Sequence, residues 1–85
     1  MKRFIVISPH TAADCIMALK QTLAIGYITH FDWGCRDGVH IGWAILEAEN
    51  KAQALMSVPT FLRDQATVVP LTKFEPEAVE AMHGK

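Results

Sequence analysis

Residues 30 to 43, HFDWGCRDGVHIGW, hold two of the chain's four histidines, one of its two cysteines and both tryptophans. Imidazole and thiol are the side chains that ligate transition metals. A thiol opposite an imidazole is also the raw material of a cysteine nucleophile, and an imidazole alone of a general base. A tryptophan beside them offers a flat apolar wall on which an organic ligand can stack. Whether these groups meet depends on the elements that carry them.

Residues 3 to 8, RFIVIS, are mostly β-branched or aromatic and stop at Pro9, which reads as a strand buried on both faces. Thr11 with Asp14 is an N-cap pattern. The helix it opens carries Ala12, Cys15, Ile16, Leu19 and Leu23 at three- and four-residue spacing, and Gly26 ends it. Cys15 on this stripe reads as a small core hydrophobe. Tyr27 to Cys35 and Val39 to Glu47 read as strands joined at Asp37-Gly38, a type I′ hairpin signal. Asn50 with Gln53 starts a second helix through Ala54, Leu55 and Val58 until Pro59 stops it. Thr67 to Lys73 reads as a fourth strand, placed at an edge by Pro70, and Pro76 opens a short C-terminal helix.

The order is strand, helix, strand, strand, helix, strand, short helix. This is the α+β, ferredoxin-like βαββαβ arrangement: a four-stranded antiparallel sheet with two helices on one face, in a single domain over residues 1–85. Right-handed crossovers put the third strand between the first two and the first between the third and fourth.

With Asp37-Gly38 at the turn, Cys35 faces His40, Trp33 faces Gly42 and Phe31 faces Ala44. Alternation groups Phe31, Trp33, Cys35, His40, Gly42, Ala44 and Leu46 on one face, with Ile41, Trp43 and Ile45 on the other. The first strand runs antiparallel to the third, so Ser8 and His10 come to the end of the sheet that carries Cys35 and His40. Ile41, Trp43 and Ile45, with Ile5 and Ile7, suit the helix-covered face. Phe4, Val6, Phe31, Trp33, Leu46 and Val68 then form an uncovered apolar face, which a second copy would shield. Gly42 and Ala44 are too small to fill the space opposite Trp33 and Phe31, so a cavity is expected between the two sheets.

The segments HTAADC, DWGCRDGVHIGW and VPTFLRD, with this topology, resemble the dimeric α/β-barrel superfamily of ferredoxin-like fold, and within it small single-domain members without an assigned activity. The resemblance implies a homodimer with an internal pocket. Superfamily members include cofactor-free monooxygenases, lactone isomerases, haem-handling proteins and metal binders, so the likeness implies a site and not a chemistry.

Composition narrows the partners. A net charge of −1 with eight scattered basic residues leaves no footprint for a polyanion, and HIGWAIL lacks the basic residue and first glycine of the RNA-binding signature it faintly resembles. Nucleic acid is not expected. The apolar run from Phe4 to Ile7 is too short for a signal peptide or membrane span, and two cysteines without paired spacing point to reduced thiols in the cytoplasm.

Three functions share one location. The first is a small ligand bound between the sheets by Trp33, Phe31, Gly42, Ser8, His10, Cys35 and His40. The second is a transition metal (zinc, copper or nickel) on His10, Cys35 and His40. The third is a cofactor-free oxygenase or isomerase with a histidine base, its catalytic candidates His40, Cys35 and His10. Elsewhere, His30 with Asp32 reads as a solvated pair, Arg63 as a cap near the end of the second helix, and His83 as part of a fraying terminus.

Overall fold

The computed structural model describes residues 1–82, so His83 lies outside the described residues. Strands β1 (Lys2–Pro9), β2 (Asp32–Trp33), β3 (Ile41–Ala48) and β4 (Thr67–Pro70) form one antiparallel sheet in the order β2-β3-β1-β4. Helix α1 (Cys15–Ala24) follows β1, α2 (Lys51–Leu55) follows β3, and α3 (Pro76–Glu80) follows β4. The β-branched run of β1 takes the centre. It pairs with β3 from Lys2 opposite Ala48 to Pro9 opposite Ile41, and with β4 from Phe4 opposite Pro70 to Ile7 opposite Thr67. Pro70 ends an edge strand, where its missing N–H costs no ladder bond.

The core is built on one face of this sheet. Phe4 and Val6 of β1, Ala44 and Ala48 of β3, and Phe31 pack with Ala18 of α1, Ala54 of α2, Val58 and Leu62. Alternation therefore groups the side chains as expected, but the helices cover the opposite face from the one assigned to them. Ile5, Ile7 and Trp43 are half-buried on the face turned away from the helices, and Ile45 is 60% exposed there. A two-residue period sorts side chains into two sets without saying which is covered, and here both sets are apolar. Packing decides. A Cβ on Gly42 would lie 2.9 Å from Trp33 Cζ3 and 3.2 Å from Phe31 Cδ2, so the two rings themselves fill the space expected to be a cavity. Small Ala18, Thr22 and Ala54 then let the helix layer approach.

The same selection overturns the expected stripe of α1. Cys15, Ala18, Leu19 and Thr22 face inward, while Ile16 and Leu23 are 67% and 61% exposed. Thr22 is buried with its hydroxyl donating to the Ala18 carbonyl at 2.7 Å. The start of the helix behaves as its sequence predicts: after Thr11, whose Oγ1 accepts from the Asp14 N–H at 3.2 Å, a 3₁₀ turn over Ala12–Asp14 leads into Cys15.

The β2–β3 connection departs from a two-residue hairpin. Residues Ile28–His30 form a 3₁₀ turn, and only Asp32 and Trp33 pair with β3, opposite Trp43 and Gly42. Trp33 opposite Gly42 is the expected register. Beyond it the N–H groups of Asp37 and Val39 both reach the Gly34 carbonyl at 3.0 Å, making a 3₁₀ turn over Cys35–Asp37 that Gly38 closes at φ +79°. A side chain at Gly34 would meet the Val39 carbonyl at 2.8 Å, so the tight loop requires glycine there. Cys35 and His40 thus leave the ladder, and the His10 N–H donates instead to the His40 carbonyl at 3.0 Å.

Asn50 caps α2 through the Gln53 N–H at 2.8 Å, but α2 stops at Leu55, short of the expected Val58, and Arg63 Nε donates to the Val58 carbonyl at 2.8 Å beyond the helix end instead of capping it. Among the described residues no helix is long and apolar enough to cross a membrane.

Candidate metal centre

Four side chains converge where the end of β1, the start of α1 and the 34–40 loop meet. Pro9 ends β1 and places His10 just beyond it; the Thr11 cap then turns the chain so that Cys15 becomes the first residue of α1. Cys35 opens the turn after Gly34, and His40 immediately precedes β3. One donor atom from each of His10, Cys15, Cys35 and His40 lies within 4.8 Å of all the others. Cys35 Sγ lies 3.3 Å from His10 Nε2. The His10 and His40 rings meet edge to face with centroids 5.5 Å apart.

The sequence-predicted neighbours His10, Cys35 and His40 are brought together as expected. Cys15 is the fourth candidate ligand, which sequence reasoning missed. Its inward stripe position is real, but its sulfur faces two imidazoles and a thiol rather than a purely apolar core. A signal was present: His10 and Cys15 are separated by four residues, and so are Cys35 and His40, giving H-x4-C and C-x4-H. Two such pairs on neighbouring elements supply four donors of metal-binding type.

The other predicted ligand-binding residues surround this cluster beneath the helices and not between two sheets. Trp33 lies against His10 with centroids 5.9 Å apart, Phe31 against Trp33 at 5.5 Å, and buried Ser8 is paired with Gly42 on the same face. The space over Trp33 is accordingly a side wall of the cluster. An open cleft of about 370 Å³, lined by Leu19, Phe31, Asp32, Trp33, Cys35 and Arg36, reaches Cys35 from outside. A larger cleft of about 410 Å³ beside Met1, Tyr27 and His30 contains none of the four donors. His30 packs its ring on Tyr27 at 5.0 Å, in place of the pairing with Asp32 that its spacing suggests.

Burial favours the neutral forms of His10 and Cys35. Burial holds the His10 imidazole below its ordinary pKa; the neighbouring His40 ring adds to this, and the Asp14 carboxylate opposes it. Burial also pushes the Cys35 thiol up, reinforced by the Cys15 thiol beside it. His10 Nδ1 and His40 Nδ1 are buried with no hydrogen-bond partner among the described residues. A buried polar atom left so costs about 1–3 kcal/mol, which only a partner at that same nitrogen relieves.

The donor set fits a tetrahedral ion. In a zinc site with Zn–S near 2.3 Å and Zn–N near 2.0–2.1 Å, the donors stand roughly 3.3–3.8 Å apart. The Cys35–His10 pair is already at that spacing, and the remaining pairs need a contraction of at most about 1.5 Å. Two imidazoles and two thiolates would complete the coordination sphere from this one chain. Compared with models of protein families, with curated proteins and with solved structures, the chain finds no match.

Proposed function

We propose that this protein binds a thiophilic transition metal, zinc(II) first, through His10, Cys15, Cys35 and His40. The observation that carries this function is the convergence of the four donor atoms within 4.8 Å. Thiolate selects against hard ions such as magnesium and calcium, and imidazole suits zinc and copper. Four protein donors make a closed site, of structural or storage type, whereas a catalytic zinc keeps a position for water or substrate. For His10 a base role fits this geometry less well, because its Nε2 lies against a thiol and its Nδ1 is buried, so neither nitrogen fronts an organic substrate. Two thiolates held ready for an ion suit a reducing compartment such as the cytoplasm.

Elemental analysis of protein purified without a histidine tag tests the assignment. One zinc per chain is expected, with Cys15→Ser lowering affinity by about a hundredfold or more. A purified chain that carries no metal and takes up neither zinc(II) nor cobalt(II) overturns it.

A second inference is that the chain is a ferredoxin-like homodimer of the α/β-barrel kind. The strand order β2-β3-β1-β4 and the apolar face turned away from the helices, with Ile5, Ile7, Trp43 and Ile45, support it. Contiguous apolar faces mark association surfaces in soluble proteins, and Ile45 is the most exposed of these four. A small ligand held between the sheets would then meet Trp43 and the isoleucines, not Trp33 and Phe31. Light scattering should give twice the 9.4 kDa chain mass. Ile45→Lys, which places a charge on that face, should shift the protein to monomer; a wild-type monomer at high concentration removes the dimer.

A further inference from the structure

We infer that Cys15 and Cys35 form a reversible intramolecular disulfide when oxidised by a peroxide, and that forming it expels the metal. The second step rests on the metal-binding function proposed above, while the first does not. Both sulfurs belong to one set of atoms no more than 4.8 Å apart, and both cysteines are free and half-buried. Both are half-buried, but they differ in whether they face the cleft. Cys35 lines the open cleft of about 370 Å³ that enters past Arg36 and Asp32, whereas Cys15 is absent from that lining. Cys35 is therefore the sulfur that meets the oxidant and Cys15 the one that resolves the product.

The chemistry balances with hydrogen peroxide as the two-electron oxidant. Burial holds the Cys35 proton more firmly than usual, so the reacting species is its thiolate fraction: this attacks one peroxide oxygen, the O–O bond breaks, and the departing hydroxide takes a proton to leave as water. Cys35 is then a sulfenic acid. The Cys15 thiolate attacks its sulfur, the S–O bond breaks, the S–S bond forms, and a second hydroxide leaves as water after taking a proton. Both sulfurs are oxidised and one peroxide is reduced to two waters.

The same sulfurs cannot serve both states. A disulfide holds them about 2.05 Å apart, against roughly 3.7 Å across a tetrahedral zinc, and it removes both thiolate charges. His10 and His40 alone would hold the ion weakly, so oxidation exchanges one cross-link between the β1–α1 corner and the 34–40 loop for another. A dithiol reductant restores the thiolates and with them the site.

The test treats zinc-free and zinc-loaded full-length protein with hydrogen peroxide, following zinc release with a chromogenic chelator and intact mass without reductant. Expected are the loss of two hydrogens in a monomeric chain, one zinc released per disulfide formed, and recovery of zinc binding with dithiothreitol. In Cys15→Ser, Cys35 should be trapped as a sulfenic acid that reacts with dimedone. In Cys35→Ser, oxidation of the remaining thiol should be about tenfold slower or more, because Cys15 does not line the cleft. Zinc bound one to one, with peroxide adding only oxygen atoms or linking separate chains, overturns the inference and leaves the metal site standing. An internal disulfide in a chain that never binds zinc supports the dithiol pair and overturns the metal function instead. Equal rates in the two serine variants overturn the assigned order of attack.

Discussion

Zinc added to metal-free protein should raise its thermal midpoint steeply, and a chelator should return it. The four candidate ligands come from two distant stretches of chain and are assembled only in the folded state, so on the proposed function binding energy becomes folding energy. Free zinc a thousandfold above its dissociation constant adds about 4 kcal/mol; at about 4–8 °C per kcal/mol for a domain of this size, that is a shift of about 15–30 °C. Cys35→Ser or His40→Ala should remove most of it. The effect should also depend on pH in a defined direction. Each thiol must lose a proton to bind, so near neutral pH affinity should rise about a hundredfold per pH unit for the two cysteines. Burial and the Cys15 thiol hold the Cys35 proton more firmly than usual, which extends this rise to higher pH. In the acid range the imidazoles compete for protons as well and the fall steepens. His10, with its pKa held below the ordinary value, stays neutral and able to bind further down in pH than an exposed histidine would. A midpoint indifferent to zinc and to chelator at neutral pH contradicts the site.

Gly42→Val should destabilise the fold and weaken the candidate metal centre although it alters none of the four donors. Gly42 lies on β3 opposite Ser8 and Trp33, where even a Cβ would come within 2.9 Å of the indole and 3.2 Å of the Phe31 ring. A valine needs room that neither ring can yield without leaving the core. Overpacking of this kind costs about 1–3 kcal/mol, which a urea titration would read as a lower midpoint at an unchanged slope. The displaced indole has His10 as its neighbour at 5.9 Å, so zinc affinity should fall in the same variant although no ligand is altered. Unchanged stability and affinity would mean that the rings do not depend on the missing side chain.

The local elements of this molecule were legible in the chain because their signals are local. Thr11 and Asn50 cap where their hydroxyl and amide predict, Pro70 sits on an edge strand, and Trp33 faces Gly42 in the expected register. From strand direction alone, the end of β1 had to arrive beside the end of the hairpin, which brings His10 near Cys35 and His40. The turn itself was misread, since Asp-Gly is compatible with a two-residue hairpin and with the wider 3₁₀ loop that Gly34 permits.

Two matters were decided only by the assembled structure. Alternation in β1 and β3 yields two apolar sets, and the covered one depends on which set complements the small residues of the helices, a fit of volumes that no periodicity encodes. Helix α1 is apolar around most of its circumference, so its buried side, and with it the exposure of Ile16 and Leu23, also follows from that fit. Cys15 illustrates the consequence. An inward stripe position describes a core residue and a ligand equally well, and what separates them is place along the axis. At the first residue of α1 the inward side meets the ends of two strands and their imidazoles, whereas one turn further, at Ala18, it meets only the apolar core.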